Sequence, residues 1–329
     1  MKKVNLFVTL ALLFAFGSAN AQFRPSAPPK PGNRPPNPIQ RNIERAAEKK
    51  AEEKAEEATN KAIDDGFEKA EAERARGEAE AERGLNKAAE RLEAAQKAQE
   101  EADAKVAAIP SEIPEVSNTP YTPSEGEFGF FPMKKGAVQV FATKDAKGKV
   151  TSQTRNTIKG ITGSKNAFAI AYESEILDAN GKPTNKDNPL ILNYRVVIKD
   201  GIMYLDMKEM FGAIPGLDGV QASGTAMKIP TSMSVGQTLD DAGVKVRIGI
   251  INCSAVMTEG KCVAIEDVTV EAGTFRSHKV TQKTNTTAMG VKTEGTTHTW
   301  YAKGAGAVKT ETYDKKGNLV SVQELVSNN

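Results

Sequence analysis

From about residue 125 to the C-terminus, apolar and polar side chains alternate with a period of two, the spacing of half-buried β-strands. Candidate strands fall at 128–131, 137–143, 151–161, 167–177, 191–198, 202–207, 220–229, 245–253, 262–270, 274–284, 292–301, 306–313 and 319–326. Short turn signals separate several of them: Asp145-Ala-Lys-Gly148, Asp178-Ala-Asn-Gly181, Asp200-Gly201 and Asp314-Lys-Lys-Gly317. Aspartate can hydrogen-bond backbone amides just downstream, and glycine accepts a positive φ, so each signal predicts a hairpin. The stretch 300–325, WYAKGAGAVKTETYDKKGNLVSVQEL, reads as two strands and a turn against which the earlier strands pair. So many short antiparallel strands do not make a flat open sheet, and curling protects their edges. The pattern therefore predicts a mainly β domain over 125–329, an antiparallel half-barrel or barrel, with MKEMFGAIPG at 207–216 as a short helix or flap at one mouth.

Upstream the period changes. Residues 39–109 are dominated by Ala, Glu, Lys, Arg and Gln, all strong helix formers, with opposite charges three and four positions apart. Leu85, Ala88, Leu92, Ala95, Gln99, Ala102, Val106 and Ile109 recur at alternating gaps of three and four, the a/d spacing of a coiled coil. Half of those positions are Ala or Gln and bury little apolar area, and Gly66, Gly77 and Gly84 each cost about 1 kcal/mol inside a helix. The segment predicts a charged helical stalk of roughly 100 Å at about 1.5 Å per residue. Both a solitary helix and a weakly self-associating coiled coil fit it. Proline-rich linkers flank it at 22–38, which holds seven prolines, and at 110–124.

Charge divides along the same line. Residues 39–109 carry 14 Lys/Arg against 19 Asp/Glu, a net of −5, while 119–329 carry 25 against 21, a net of +4. Neither is the basic, aromatic-laced face that nucleic acid requires. Residues 1–21 read as a signal peptide: Lys2 and Lys3, an apolar run from Leu6 to Phe16, then Ala19-Asn20-Ala21 before Gln22. That run is short for a membrane span, and no later segment resembles one, so no span is expected after cleavage. The expected location is across the inner membrane, periplasmic or associated with the outer envelope.

Little in the sequence points to catalysis. The two histidines, His278 and His298, fall in predicted strands without the Cys or His neighbours a zinc site needs. There is no nucleophile elbow, P-loop or dinucleotide fingerprint. No cofactor, metal or enzymatic role is expected. Cys253 and Cys262 flank SAVMTEGK, in which Glu259-Gly260-Lys261 reads as a turn, so an oxidising compartment would let them bridge a hairpin; the alternative is two free thiols. The more suggestive feature is methionine. Met203, Met207, Met210 and Met227, with Phe211 and Trp300, are candidates to line a pliable pocket for an apolar small molecule, against the alternative of ordinary core filling.

The segments FFPMKKGAVQVF, DGIMYLDM, EDVTVEAGTF and WYAKGAGAVKTETYDKKG together resemble the DUF3108-like (TapB-like) domains of exported bacterial proteins common in Bacteroidetes. The resemblance covers roughly residues 119–325 and none of the stalk. It implies an antiparallel half-barrel or barrel in the periplasm or at the outer surface. Ser277 stands where a Cys often follows the AGTF segment, which weakens any redox role there, and the family offers no catalytic residues to carry over. The functional expectation is an exported envelope protein whose β domain binds or assembles, with the stalk meeting an envelope protein or polymer. The alternative is a periplasmic carrier sheltering an apolar, lipid-like ligand in the half-barrel.

Overall fold

The computed structural model describes residues 48–110, 112–124, 129–132, 134–187, 189–212, 220–248 and 251–329. The expected signal peptide, the 22–38 linker and the start of the stalk at 39–47 lie outside the described residues.

Among the described residues, alternation along the C-terminal two-thirds produces thirteen strands in one antiparallel sheet. They are β1 (Val138–Asp145), β2 (Val150–Ser164), β3 (Ala167–Leu177), β4 (Leu190–Lys199), β5 (Ile202–Asp206), β6 (Val220–Gly224), β7 (Ala226–Pro230), β8 (Ala242–Ile248), β9 (Ile251–Val270), β10 (Gly273–Ala288), β11 (Val291–Ala302), β12 (Gly306–Asp314) and β13 (Leu319–Asn328). The spatial order is β6-β8-β9-β10-β11-β12-β13-β1-β2-β3-β4-β5-β7. The C-terminal strand β13 pairs with both β12 and β1, so the stretch from Trp300 onward joins the two ends of the domain's chain. The edge strands β6 and β7 are consecutive in sequence and separated only by Thr225. Thr225 is buried; its N–H donates to the Gly243 carbonyl at 2.9 Å, and its Oγ1 accepts from the Gly243 N–H at 2.8 Å. One stretch of chain thus leaves β8 and joins β5, and the sheet forms a nearly closed barrel.

The turn chemistry appears as expected. Asp145, Asp178 and Asp314 each accept two backbone N–H bonds of 2.8–3.0 Å from residues two and four positions on. Asp200 and Gly201 take φ of 50° and 75°, the left-handed pair that closes a two-residue hairpin between β4 and β5.

Two expectations fail. The strand expected at 128–131 is not one; the described residues 129–132 form a turn whose carbonyls at Gly129 and Phe130 accept from the N–H groups of Gly304 and Gly306. The turn expected at Glu259-Gly260-Lys261 does not reverse the chain, because β9 runs unbroken from Ile251 to Val270. In the β9–β10 register, Thr281 faces Lys261 and Lys283 faces Thr258, so Glu259 and Gly260 together oppose Gln282. That two-against-one count is a β-bulge, with Glu259 at φ 55°. A residue pattern typical of a tight turn here only kinks a strand.

Helix α1 (Glu48–Ala108) fills most of the expected stalk. Its residues before Ala94 form a separate unit, while Ala94–Asn329 is one compact body. Within that body the last turns lie on the outer face of β8 and β9 and against the turn at Gly290. Gln99, Ala102 and Val106 are buried there, so the C-terminal half of the 3–4 apolar spacing is a docking seam onto the barrel. Leu85 and Leu92 are 71% and 61% exposed. The linker expected at 110–124 is ordered at its end: Pro120 bridges Thr162, and Tyr121 N–H donates to the Ile161 carbonyl at 3.0 Å.

Candidate functional site: a mixed-polarity bore

Alternate residues of the sheet converge on a cavity of about 210 Å³ within the barrel. The pairs Gln139/Phe141, Thr154/Asn156, Tyr194/Val196, Met203/Leu205, Met227/Ile229 and Thr297/Thr299 each line it from positions i and i+2 of one strand. This is the geometry of side chains on the inner face of a curled sheet.

The lining falls into two arcs. On β4, β5 and β7 it is apolar, from Val196, Met203, Leu205, Met227 and Ile229. Met257 from β9 and Met210 from α2 (Met207–Gly212) complete that side. Helix α2 begins because Asp206 Oδ1 accepts from the N–H groups of Lys208 and Glu209 at 2.8 and 3.1 Å, an N-cap that aligns the following turn. Running from β10 through β11, β12, β13 and β1 to β2, the opposite arc carries most of the polar groups, Gln282, Thr297, Thr299, Thr310, Gln323, Gln139, Thr154 and Asn156, with Phe141, Tyr301 and Ala307 among them. Gln139 is held by its own bonds, donating to the Ala305 carbonyl at 2.9 Å and to Asn328 Oδ1 at 3.1 Å. Asn156 Oδ1 accepts from Ser174 Oγ at 2.5 Å. Tyr172 and Tyr194 stack at 5.5 Å where the arcs meet. Burial raises the pKa of Tyr172, Tyr194 and Tyr301 above the usual phenol value, so all three stay neutral. At one end Phe131 and Pro132 line the cavity beside Gly306, and Phe130 seats its ring 4.9 Å from His278 and 6.0 Å from Tyr301.

Of the residues expected to form an apolar pocket, Met203, Met210 and Met227 line the cavity. Met207 is fully buried in the adjoining cluster with Met210, Met257, Val244 and Ala255. The Phe211 side chain lies outside the described residues. Trp300 sits on the opposite face of β11 from Thr299 and Tyr301. It packs with Val268, Val308 and Leu325, donates from Nε1 to Glu266 Oε1 at 2.7 Å, and carries Lys279 and Lys309 over its ring. The polar arc was missed because period-two alternation does not by itself say which face of a strand turns inward. The available signal was that β11, VKTEGTTHTWYA, is polar on both faces, and only one of them can face water in a barrel.

Cys253 and Cys262 are both free thiols, which corrects the expected bridge. They stand on one strand at a separation of roughly 30 Å, from about 3.3 Å per residue, far beyond disulfide reach. Both histidines sit in strands, His278 in β10 and His298 in β11. Burial, with Lys279 nearby, lowers the His298 pKa, and its ring lies 4.8 Å from Tyr313.

A nearly closed antiparallel barrel with a hollow, two-sided interior is the class of fold these features define. Two solved structures share it, each aligning over 61% of this chain and 99% of its own with a TM-score of 0.52. One is a Bacteroides fragilis protein described as exported and of YmcC-like fold, 21% identical; the other is a Parabacteroides distasonis protein described as a lipoprotein, 22% identical. No curated protein matches the chain. The profile of the DUF3108-like family matches residues 134–325, and the chain belongs to that family. Among the described residues, no helix is long and apolar enough to cross a membrane.

Proposed function

We propose that this is an exported, non-enzymatic binding protein of the cell envelope, whose barrel shelters a small apolar or amphipathic ligand. The observation that carries the reading is the cavity itself: about 210 Å³, with four methionines, Met203, Met210, Met227 and Met257, in its lining. Unbranched thioethers adapt to irregular apolar guests, and a well-packed core of this size has few voids larger than a water. Export is supported by the N-terminal sequence pattern and by the descriptions of the two structural relatives. Protein purified gently from a bacterial envelope should carry an organic molecule that solvent extraction and mass spectrometry detect. Met210→Asp, which buries a carboxylate in the apolar arc, should release it. Empty wild-type protein, or equal loading of the variant, contradicts the reading.

A second role rests on α1. Exposed Leu85 and Leu92, seven residues apart, put an apolar line on a charged helix, which fits capture of an envelope protein or polymer, or weak self-association. Deleting residues 48–93 should abolish cross-linking to envelope partners and leave the barrel's ligand in place. Unchanged cross-linking removes this role.

A further inference from the structure

We infer that the guest of the bore is a single-chain amphiphile whose polar end is uncharged and carries hydroxyl or amide groups. This rests on the bore being a ligand site and adds which chemistry it accepts. Among the described residues that line the cavity, none is charged. On the same strands, charges face outward and pair there: Arg155, between lining residues Thr154 and Asn156, bonds Glu175, and Lys283, next to lining Gln282, bonds Glu259. The raised pKa of the three lining tyrosines keeps that wall neutral. An ionised head in this bore would lose hydration and meet no counter-charge, which disfavours both carboxylates and ammonium groups.

A purely aliphatic guest fits no better, because it would set hydrocarbon against the polar arc. That arc also continues beyond the cavity lining. Thr143 stands opposite Gln323 in the β1–β13 register, Ser321 lies two residues before Gln323, and Thr284 lies two residues after Gln282. The hydroxyls of Thr143, Ser321 and Thr284 are buried and have no hydrogen-bond partner among the described residues. Buried polar groups are rarely left so, and these three carry the polar character of that face past the cavity without lining it. Size limits the rest of the guest. A volume of about 210 Å³ falls below the roughly 300–1,000 Å³ of sites for drug-sized molecules, which admits one chain and not a diacyl lipid.

The test is calorimetric titration of delipidated full-length protein at pH 8 with 1-decanoylglycerol, decanoate and decyltrimethylammonium. The glyceride should bind one per chain, about ten-fold or more tighter than either ion. Thr297→Val combined with Thr299→Val keeps shape and removes two hydroxyls, so it should weaken the glyceride about five-fold or more with an unchanged melting temperature. Should that variant not fold, the ranking of the three probes on the native chain decides alone. Decanoate or the ammonium binding as tightly as the glyceride overturns the neutral-head inference and leaves the bore as a binding site. If none of the three binds, the binding reading falls with it.

Discussion

At Cys253 and Cys262 a local signal and the long-range pairing disagree, and the pairing wins. A Glu-Gly-Lys triplet between two strand-like runs has the composition of a turn. The ladder to β10 nevertheless continues through it, because Thr258 and Lys261 both find partners and only a bulge is needed to absorb the extra residue. The chemistry of both thiols follows from that placement. Burial pushes the Cys253 thiol up to about 11, and burial also raises that of Cys262, so neither is a ready nucleophile at neutral pH. Mass spectrometry of protein alkylated in denaturant without reductant should find two modified cysteines per chain. A mass two hydrogens lighter with no alkylation would reinstate the bridge. The methionines were legible individually, since three of those singled out line the cavity, but Trp300, also singled out, does not, because alternation does not fix which of Trp300 and Tyr301 faces inward. It lies beside Tyr301 in the chain and on the other side of the sheet.

Among the elements, α1 shows how a pattern can be right and its partner wrong. The 3–4 spacing from Ala95 to Ile109 is a packing seam, yet its partner is the barrel's own surface. Two glycines make the approach close enough. A Cβ on Gly243 would lie 3.2 Å from Val106 Cγ2, and one on Gly290, at φ 76°, would lie 2.2 Å from Ala95 Cβ. Gly290→Ala should therefore lift the helix end and strain the β10–β11 turn at a cost of about 1–3 kcal/mol, read as a lower melting temperature. An unchanged melt would show that the contact is slack. The docking also has a polar lock: Asp103 pairs with Lys245 and accepts from Ser254 and from Gln99, whose Nε2 lies 2.9 Å from both the Asp103 carboxylate and Ser254 Oγ. Burial pushes the Asp103 pKa up, but the bonds from Lys245, Ser254 and Gln99 outweigh it and hold the carboxyl below its ordinary 3.8. A depressed folded pKa means that the stabilisation is present above the ordinary value and is lost as pH falls through the folded one. Amide exchange in residues 94–108 should accelerate on acidification below about pH 4 before the β3–β4 ladder loosens, and Asp103→Asn should remove that acid-dependent step. Equal behaviour of wild type and variant across the range would show that the lock carries no weight.

For the whole molecule, period-two alternation and Asp/Gly turn chemistry were enough to expect a curled antiparallel sheet, because both signals are local. Closure was not local. It depends on Thr225 handing the chain from β8 to β5, which divides what reads as one strand at 220–229 into β6 and β7. The polarity of the bore was legible only at β11, whose two polar faces put threonines inside whichever way it turns; on the other strands alternation alone does not say which face is inner. The central claim is that this interior admits one guest molecule per chain. Native mass spectrometry of the full chain with 1-decanoylglycerol tests it, using Met227→Trp to fill the apolar arc. The account predicts a single adduct per wild-type chain and none on the folded variant. No adduct on the wild type, or an adduct that persists in Met227→Trp, would contradict it.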